Sequence, residues 1–510
     1  MIRLPRTPLA ASAASDGRQL AAAGLRRTRQ HPTAAVAVAG FAASALTVLT
    51  GGRTGTVPGA VPLTTWFGIL SPGGYRPGGS PVPGLLLLAG IFSLVLLWLN
   101  LALRSHAATS TEGRTWAIAG AWSFPLLVGP PLLSSDVYTY AAQGVLVDRG
   151  RDPYSVGPSV LGNVRVVAAV DPAWRSVPSP YGPVAMRFEH LAVVLGGGGP
   201  LGAVIVFRLC AAACVVAIGL LAADLAGPHR IRALILTVLN PLVLLQVISA
   251  THLEGLVCAL LLGALVAVRR GNVILGIVLA CVAGAVKAPA FVAVVVIIAA
   301  QRQGQTGRRA WRGGARDVTV AVAVCAGLTM LVPHGWGWVN ALETPALGYT
   351  PGAPASLVGD LFKPIIQPAS FDDLAAGGRT VALLAASCIV AYLAVTARRR
   401  ALEATVGLGL IAVALLSPVI YPWYLLWGAL CLAPTARRHD RDLLVLACAI
   451  GCVVAVPGLP RLVVDLVSTG LIGCIIAIVG GRLQHGRDDR ALRPARRWHV
   501  VPTIRVEPHA

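Results

Sequence analysis

The sequence predicts an all-α polytopic membrane protein of about fourteen transmembrane helices. Apolar residues make up 56% of the chain, and apolar runs long enough to cross a bilayer recur from one end to the other. Charged residues make up only 12%, about half their share in soluble proteins. Such a surface would aggregate in water, whereas in lipid it is what a spanning helix requires.

The apolar runs give the predicted helices in order. The first covers 32–49, and because no clear small-residue cleavage site follows it, we interpret it as a retained helix rather than a cleaved signal. The runs 254–268 and 271–286 are short for a full crossing, which indicates tilted or partial spans. The other helices are predicted at 82–103, 115–133, 199–225, 231–250, 289–301, 317–333, 378–397, 401–417, 423–434, 443–458 and 462–480.

The distribution of arginine orients these helices. With the N-terminus inside, most basic residues fall in the segments that alternation places on the cytoplasmic side. The chain then divides into a cytoplasmic basic N-terminus, one membrane domain and a cytoplasmic basic tail, at 1–31, 32–481 and 482–510. Two long external loops, 134–198 and 334–377, interrupt the membrane domain, and the first should contain short interfacial helices. The segment 302–316 is predicted as a solvated basic loop.

Charge and cysteine content exclude other classes. The net charge of +21 and pI near 10.6 are explained by the basic cytoplasmic loops of a membrane protein, so no nucleic acid partner is expected. The ten cysteines all lie in apolar segments, and none forms a CxxC motif or a Cys/His cluster. Disulfides and a zinc site are therefore not predicted.

Several polar clusters fall on the external side of this topology, and the first directly follows the third helix. Asp136, flanked by Tyr138 and Tyr140, is a carboxylate at the membrane surface that can act as a general base. The alternative is that Ser135 or Asp136 merely caps a helix by accepting a backbone N–H bond.

A second cluster contains two arginines followed by proline-rich turns. Arg149 and Arg151 can meet a phosphate, or can simply be solvated. The turn 178–183, which contains Tyr181, is expected to fold the loop back over the membrane.

Ionisable residues also stand at predicted hairpin tips. His252 and Glu254 follow at the outer end of the predicted helix that contains Asn240-Pro241, and they can bind a hydroxyl, a phosphate or a metal, although two ligands make a weak metal signal. A plain interfacial turn is the alternative. Lys287 and Lys363 are the only lysines among 42 basic residues. Lys287 therefore suggests a phosphate-binding ammonium, although a lysine at a helix end can also snorkel to the interface.

Aromatic residues are dense at two external positions. Trp423, Tyr424 and Trp427 lie in the segment 417–427, and Trp336 follows the ninth helix. These residues are compatible with an interfacial aromatic belt or with contacts to a sugar or lipid.

The polar clusters share one face, which argues for chemistry at the membrane surface. A proton-coupled transporter would instead bury carboxylates near the bilayer midplane. The charges within helices are few: Arg208 lies inside one, and Asp224 and Asp465 lie closer to segment ends.

These segments, in this order and spacing, resemble the actinobacterial polyprenol-phosphomannose-dependent α-1,6-mannosyltransferases, with the MptB branch as the nearest pattern. The resemblance covers about residues 80 to 480. The matching segments are 135–144, 149–154, 180–183, 239–242, 252–254, 335–338 and 417–427.

The resemblance implies a GT-C-type fold and transfer of mannose from polyprenyl phosphomannose to a mannosylated lipid acceptor in the bilayer. The products would be the α-1,6 links of the lipomannan and lipoarabinomannan core. Asp136 holds the place of the family's proposed base. The pattern often has a second acid or an Arg-Asp pair there, whereas this chain has Ser134 and Ser135. No cofactor is therefore implied with certainty, and a divalent cation is an option.

The remaining roles follow from the same chemistry. Lys287 and Arg151 would stabilise the leaving phosphate, and His252 and Glu254 would orient hydroxyls. The aromatic residues would line a sugar or lipid groove at an extracytoplasmic site of a multi-pass plasma membrane protein. The open alternatives are a relative that uses polyprenyl-phosphate arabinofuranose or glucose, and a lipid-linked sugar transporter or flippase.

Overall fold

The computed structural model describes residues 32–51, 82–103, 111–343, 353–356, 368–454 and 473, and the regular structure in these ranges is helical. The helices are α1 (Pro32–Gly51), α2 (Val82–Leu103), α3 (Glu112–Val128), α4 (Asp136–Asp148), α5 (Arg165–Ala169), α6 (Pro183–Leu195), α7 (Pro200–Ala226), α8 (Arg230–Thr237), α9 (Pro241–Val243), α10 (Glu254–Arg269), α11 (Val273–Val286), α12 (Phe291–Arg302), α13 (Gly307–Thr329), α14 (Trp338–Ala341), α15 (Pro368–Val395), α16 (Leu402–Leu415), α17 (Leu425–Leu432) and α18 (Arg438–Val454). Helix α9 continues as a π-helix, Leu244–Ser249.

The helical, apolar character predicted for a membrane protein is confirmed. Within the described ranges, four stretches are long and apolar enough to cross a membrane: Thr33–Gly51, Val82–Leu103, Pro200–Thr237 and Ala376–Val395. Shorter apolar helices accompany them, including Val273–Val286, Leu402–Leu415 and Ala288–Arg302. Fourteen crossings and two cytoplasmic termini stay predictions. The segments 1–31 and 482–510 lie outside the described residues, as does the predicted helix 462–480 except for Gly473.

The helix predicted at 231–250 is broken in its middle. The Asn240 side-chain carbonyl accepts a hydrogen bond from the Leu242 amide at 3.0 Å, which caps a new helix that starts with Pro241. Proline suits that first position because it has no N–H to leave unpaired. Further along, the stretch Pro241–Ser249 and the helix Glu254–Arg269 meet at a bend of 118°.

The segment 134–198 forms short helices, as the sequence predicts, and its external location stays a prediction. Helices α4 and α6 are the longest of them, and they pack against each other at Gly144, where a Cβ atom would overlap the Glu189 backbone. The segment is tied to the membrane helices at Gly182, whose amide donates to the Val286 carbonyl at 3.1 Å. This contact sets the segment 134–198 against the end of α11.

Two predicted loop boundaries are wrong. Helix α13 begins at Gly307, so most of the predicted basic loop 302–316 is helical. Helix α15 begins at Pro368, inside the predicted external loop 334–377. In the first case the hydropathy pattern gives no signal, because residues 307–316 are polar, yet arginine and alanine are good helix formers whether or not they face lipid. The Arg302–Asp317 ion pair, at 2.6 Å, further holds α13 against the end of α12.

We predict that Gly182→Ala destabilises the protein. The added methyl would overlap the Ala285 carbonyl, which is backbone and cannot move aside cheaply. Overpacking of this kind costs about 1–3 kcal/mol, so the thermal midpoint of the purified protein in detergent should fall. Gly120→Ala is the matched control, because no atom lies within 4 Å of its added Cβ and alanine is the better helix former. Equal midpoints for the two variants would contradict the predicted contact.

Candidate active site

A cavity of about 1630 Å³ lies where the segment 134–198 meets α12, α15, α16 and the aromatic segment 417–427. Its polar lining includes Asp136, Gln143, Asp171, Arg175, Lys287 and Arg379. Its apolar lining includes Val292, Val295, Leu383, Val390, Val413 and Leu416. One chamber therefore offers charged groups on some walls and a hydrocarbon-like surface on others.

Asp136 enters the cavity at the start of α4. Leu133, just upstream, has a positive φ of 68°, and the Asp136 amide donates to Ser134 Oγ at 3.1 Å. Ser135 occupies the helix cap position but makes no side-chain cap bond, so helix capping does not account for this cluster. The Asp136 side chain keeps 23% of its surface exposed.

The surroundings of Asp136 make its carboxylate a better base. Burial raises the pKa of Asp136 to about 6, with Lys287 opposing the shift and Glu254 and Asp171 adding to it. The carboxylate therefore remains ionised at neutral pH yet holds a proton more readily than an ordinary aspartate. Such a pKa near the working pH suits a general base.

A chain of buried ionisable side chains lies directly behind Asp136. His252 Nδ1 lies 3.5 Å from Asp136 Oδ2 and 4.0 Å from Glu254 Oε2. Glu254 Oε1 in turn accepts a hydrogen bond from Lys287 Nζ at 2.5 Å. The 118° bend after the π-helix delivers His252 and Glu254, and the end of α11 delivers Lys287.

Aromatic rings enclose this ion pair. The Lys287 ammonium lies 4.6 Å from the ring centroid of Tyr424, 5.1 Å from Tyr181 and 5.4 Å from Trp427. Tyr140 and Tyr181 place their hydroxyls 3.2 Å apart, and the Tyr140 hydroxyl is also 3.4 Å from His252 Nδ1. Cation–π attraction lowers the cost of keeping the ammonium away from water.

A second aromatic feature is a stack of three rings that ends in the cavity. His252 stacks on Trp423 with ring centroids 4.0 Å apart, and Trp423 stacks on Tyr421 at 4.4 Å with the planes 5° from parallel. Tyr421 is partly exposed and lines the cavity. The Tyr421 ring forms the outer end of the stack and gives the cavity a flat apolar surface, in the same lining as the Asp136 carboxylate.

The structure brings together most of the residues predicted for the site. Those lining the cavity are Asp136, Tyr140, Tyr181, Lys287, Trp423, Tyr424 and Trp427. His252 and Glu254 are fully buried behind that lining and contact it. The arrangement joins residues that are far apart in sequence, although their chemical roles stay predictions.

Three residues predicted as substrate contacts lie elsewhere. Tyr138 is buried and does not line the cavity. It lies two residues before Tyr140 on the same helix, and this spacing points the two side chains to different faces. Arg151 is exposed beyond the far end of α4, some four turns from Asp136. Trp336 is 58% exposed on a short turn and also lies outside the lining.

Other lining residues were not predicted. Arg175 stands on a short turn, where Nε donates to the Val170 carbonyl at 3.0 Å, and Asp171 caps the same turn. Arg379 projects from α15. Nothing in the local sequence marks these positions, because only the fold of the segment 134–198 and the approach of α15 bring them to the cavity.

Two family models match most of the chain. Residues 37–303 match the α-(1→6)-mannopyranosyltransferase N-terminal domain, and residues 370–480 match the MptB C-terminal domain. α-(1→6)-Mannopyranosyltransferase A of Mycobacterium tuberculosis is 31% identical over 379 residues, 71% of this chain and 73% of that protein. α-(1→6)-Mannopyranosyltransferase B of Corynebacterium glutamicum is 28% identical over 424 residues, 73% of this chain and 69% of that protein.

We predict that Glu254→Gln strongly destabilises the protein. Removal of one partner leaves the Lys287 ammonium buried without its carboxylate, which costs about 3–5 kcal/mol. The thermal midpoint in detergent should fall clearly, and Glu254→Gln combined with Lys287→Met should recover part of the loss. Asp224→Asn is the control, because its partner Arg270 is 69% exposed and such surface pairs contribute about 0–1 kcal/mol. A loss no larger than that of the control would contradict the structural role of the buried pair.

Proposed function

Because the chain belongs to the α-(1→6)-mannopyranosyltransferase family, we propose that it transfers mannose from polyprenyl phosphomannose to a mannosylated lipid acceptor. The products are α-1,6 links of the lipomannan and lipoarabinomannan core. One observation carries the proposal: a carboxylate, Asp136, and an ammonium, Lys287, line the same cavity as a long apolar wall. A lipid-linked sugar phosphate presents the complementary groups.

The donor is accommodated by the two kinds of wall. Residues of α12, α15 and α16, such as Val295, Leu383 and Val413, offer an apolar surface to the polyprenyl chain. Lys287, Arg175 and Arg379 offer cations to the phosphate. Lys287 is already paired with Glu254. A bound phosphate therefore contacts the Lys287 ammonium as a second anion and does not displace Glu254. Arg175 and Arg379 supply the further positive charge that offsets the negative charge of the phosphate.

The reaction needs one proton acceptor and one stabilised leaving group. The acceptor 6-hydroxyl attacks the anomeric carbon, forming the new C–O bond while the bond from that carbon to the phosphate oxygen breaks. The hydroxyl proton passes to the Asp136 carboxylate, and polyprenyl phosphate leaves with the bonding electron pair. The cations stabilise the charge that develops on the phosphate. A single displacement inverts a β-linked donor to an α product.

The remaining groups hold the reactants. His252 lies 3.5 Å from Asp136 and orients its carboxylate, while the stack that ends in Tyr421 offers a platform for a sugar ring. The site faces the extracytoplasmic side of the plasma membrane in the alternating topology, where Asp136 follows an odd number of crossings. His, Cys, Asp and Glu side chains of the described ranges form no group of three that could hold a metal ion. Assays with and without a chelator will determine whether a divalent cation takes part.

We predict that Asp136→Asn lowers kcat/KM by about 10²–10⁴-fold, the usual contribution of a general base. Because burial raises the pKa of Asp136 to about 6, the ionised base is lost as pH falls through that value. In the wild type, kcat/KM should therefore decline below about pH 6 and stay level above it, and the variant should lack this decline. Asp148→Asn, at the other end of α4 with half its side chain exposed, should behave as wild type. Near-normal transfer by Asp136→Asn would exclude Asp136 as the base.

We further predict that mannose is the transferred sugar. Purified protein in vesicles, given radiolabelled polyprenyl phosphomannose and a short α-1,6-mannoside acceptor, should yield an elongated product that an α-1,6-specific mannosidase degrades. Polyprenyl-phosphate arabinofuranose or glucose should give little product. A preference for either of these donors would change the assigned substrate. Movement of the donor across the vesicle membrane with no new glycosidic bond would favour the flippase alternative.

A further inference from the structure

The strongest feature outside the cavity is an arginine inside a membrane helix. Arg208 stands in α7, in the candidate span Pro200–Thr237, and is 3% exposed. A guanidinium at such a position is costly unless its donors are satisfied, and charges inside membrane helices generally have a function. The proposed reaction assigns none to Arg208.

The guanidinium of Arg208 bridges two chain segments. One nitrogen, Nη1, donates to the carbonyls of Leu127 at 2.7 Å and of Gly129, both at the end of α3. On the other side, Nη2 donates to the Ser249 carbonyl at 2.9 Å and Nε to Thr251 Oγ1 at 3.4 Å. The planar fork of arginine, with its separated donors, is suited to holding two segments at once.

Each of these segments leads directly to a residue of the site. The first runs through two prolines to Leu133, which has a φ of 68°, and then to Asp136. The second contains Thr251, with a φ of 64°, followed by His252. A positive φ is unfavourable for both leucine and threonine, so each turn needs its surroundings to hold it in place.

The two turns meet at the contact between Asp136 Oδ2 and His252 Nδ1, which are 3.5 Å apart. Arg208 holds the chain upstream of both partners, on the buried side away from the cavity. It does not line the cavity itself, so it cannot act on the substrate by contact.

We propose that Arg208 is a positioning residue that sets the contact between Asp136 and His252 by tying the end of α3 to the turn after the π-helix. The inference rests on the proposed function, in which Asp136 accepts the acceptor proton. A displacement of about 1 Å at a reacting group can lower the rate by about 10²-fold. We therefore expect the hydrogen bonds of Arg208 to affect the rate of the chemical step and not the cavity walls that bind the donor.

The test compares Arg208→Lys with Asp136→Asn in full-length protein reconstituted in vesicles, with radiolabelled polyprenyl phosphomannose as donor. Lysine keeps a cation at the buried position, which preserves folding, but its single ammonium cannot span both turns. We expect kcat of Arg208→Lys to fall about 10–10²-fold, with KM for the donor unchanged within about threefold. In the Asp136→Asn background, Arg208→Lys should lower kcat by less than about a further threefold, because both substitutions impair the same proton transfer.

Arg269→Lys is the matched control. Arg269 also donates to a backbone carbonyl, that of Leu225, but at the opposite end of α7. Its kcat should stay within about twofold of wild type. Three results would overturn the positioning role of Arg208: full activity of Arg208→Lys, a rise in its KM alone, or losses in kcat that multiply in the double variant. None of these results would affect the role of Asp136 as the base. Full activity of Asp136→Asn would overturn the proposed base and, with it, this inference.

Discussion

The site depends on the ion pair between Glu254 and Lys287. Its two charges come from the start of α10 and the end of α11, and they lie 2.5 Å apart with almost no exposed surface. Neither charge is tolerable alone at such a position, so the pair requires the bend before α10 and the end of α11 to meet. Once they meet, His252 lies beside Glu254, and the segment 134–198 rests on Val286 through Gly182. The position of Asp136 follows from these contacts.

The sequence could predict the class of fold and the core of the site for a physical reason. In a membrane protein, polar residues are costly, so those that remain outside the basic loops are few and informative. Asp136, His252, Glu254 and Lys287 were identified in this way, and the structure gathers them around one cavity. The short helices of the segment 134–198 were likewise predictable from the proline- and glycine-rich turns between them.

The rest could not be predicted because it depends on tertiary approach. Tyr138 and Tyr140 are indistinguishable in sequence, and only the rotation of α4 decides which one reaches the cavity. Arg151 looked suited to phosphate, yet Arg175 and Arg379 are the arginines that line the chamber. A local sequence pattern gives residue type and spacing. Which residues of a long connecting segment reach the cavity depends on contacts with other parts of the chain. The helix start at Gly307 was not predicted for a different reason, since it lies in a polar stretch that carries no apolar pattern.

The use of lysine at 287 also follows from this geometry. All but two of the 42 basic residues are arginine, so the chain has no general preference for lysine. The space around the Lys287 ammonium is bounded by Tyr181, Tyr424 and Trp427 at 4.6–5.4 Å and by one carboxylate oxygen. An ammonium is a compact charge that fits such a cage, whereas the planar guanidinium of arginine is broader and directs five donors outward. Arginine serves where two segments must be bridged, as at Arg208, and lysine serves where one charge must be enclosed.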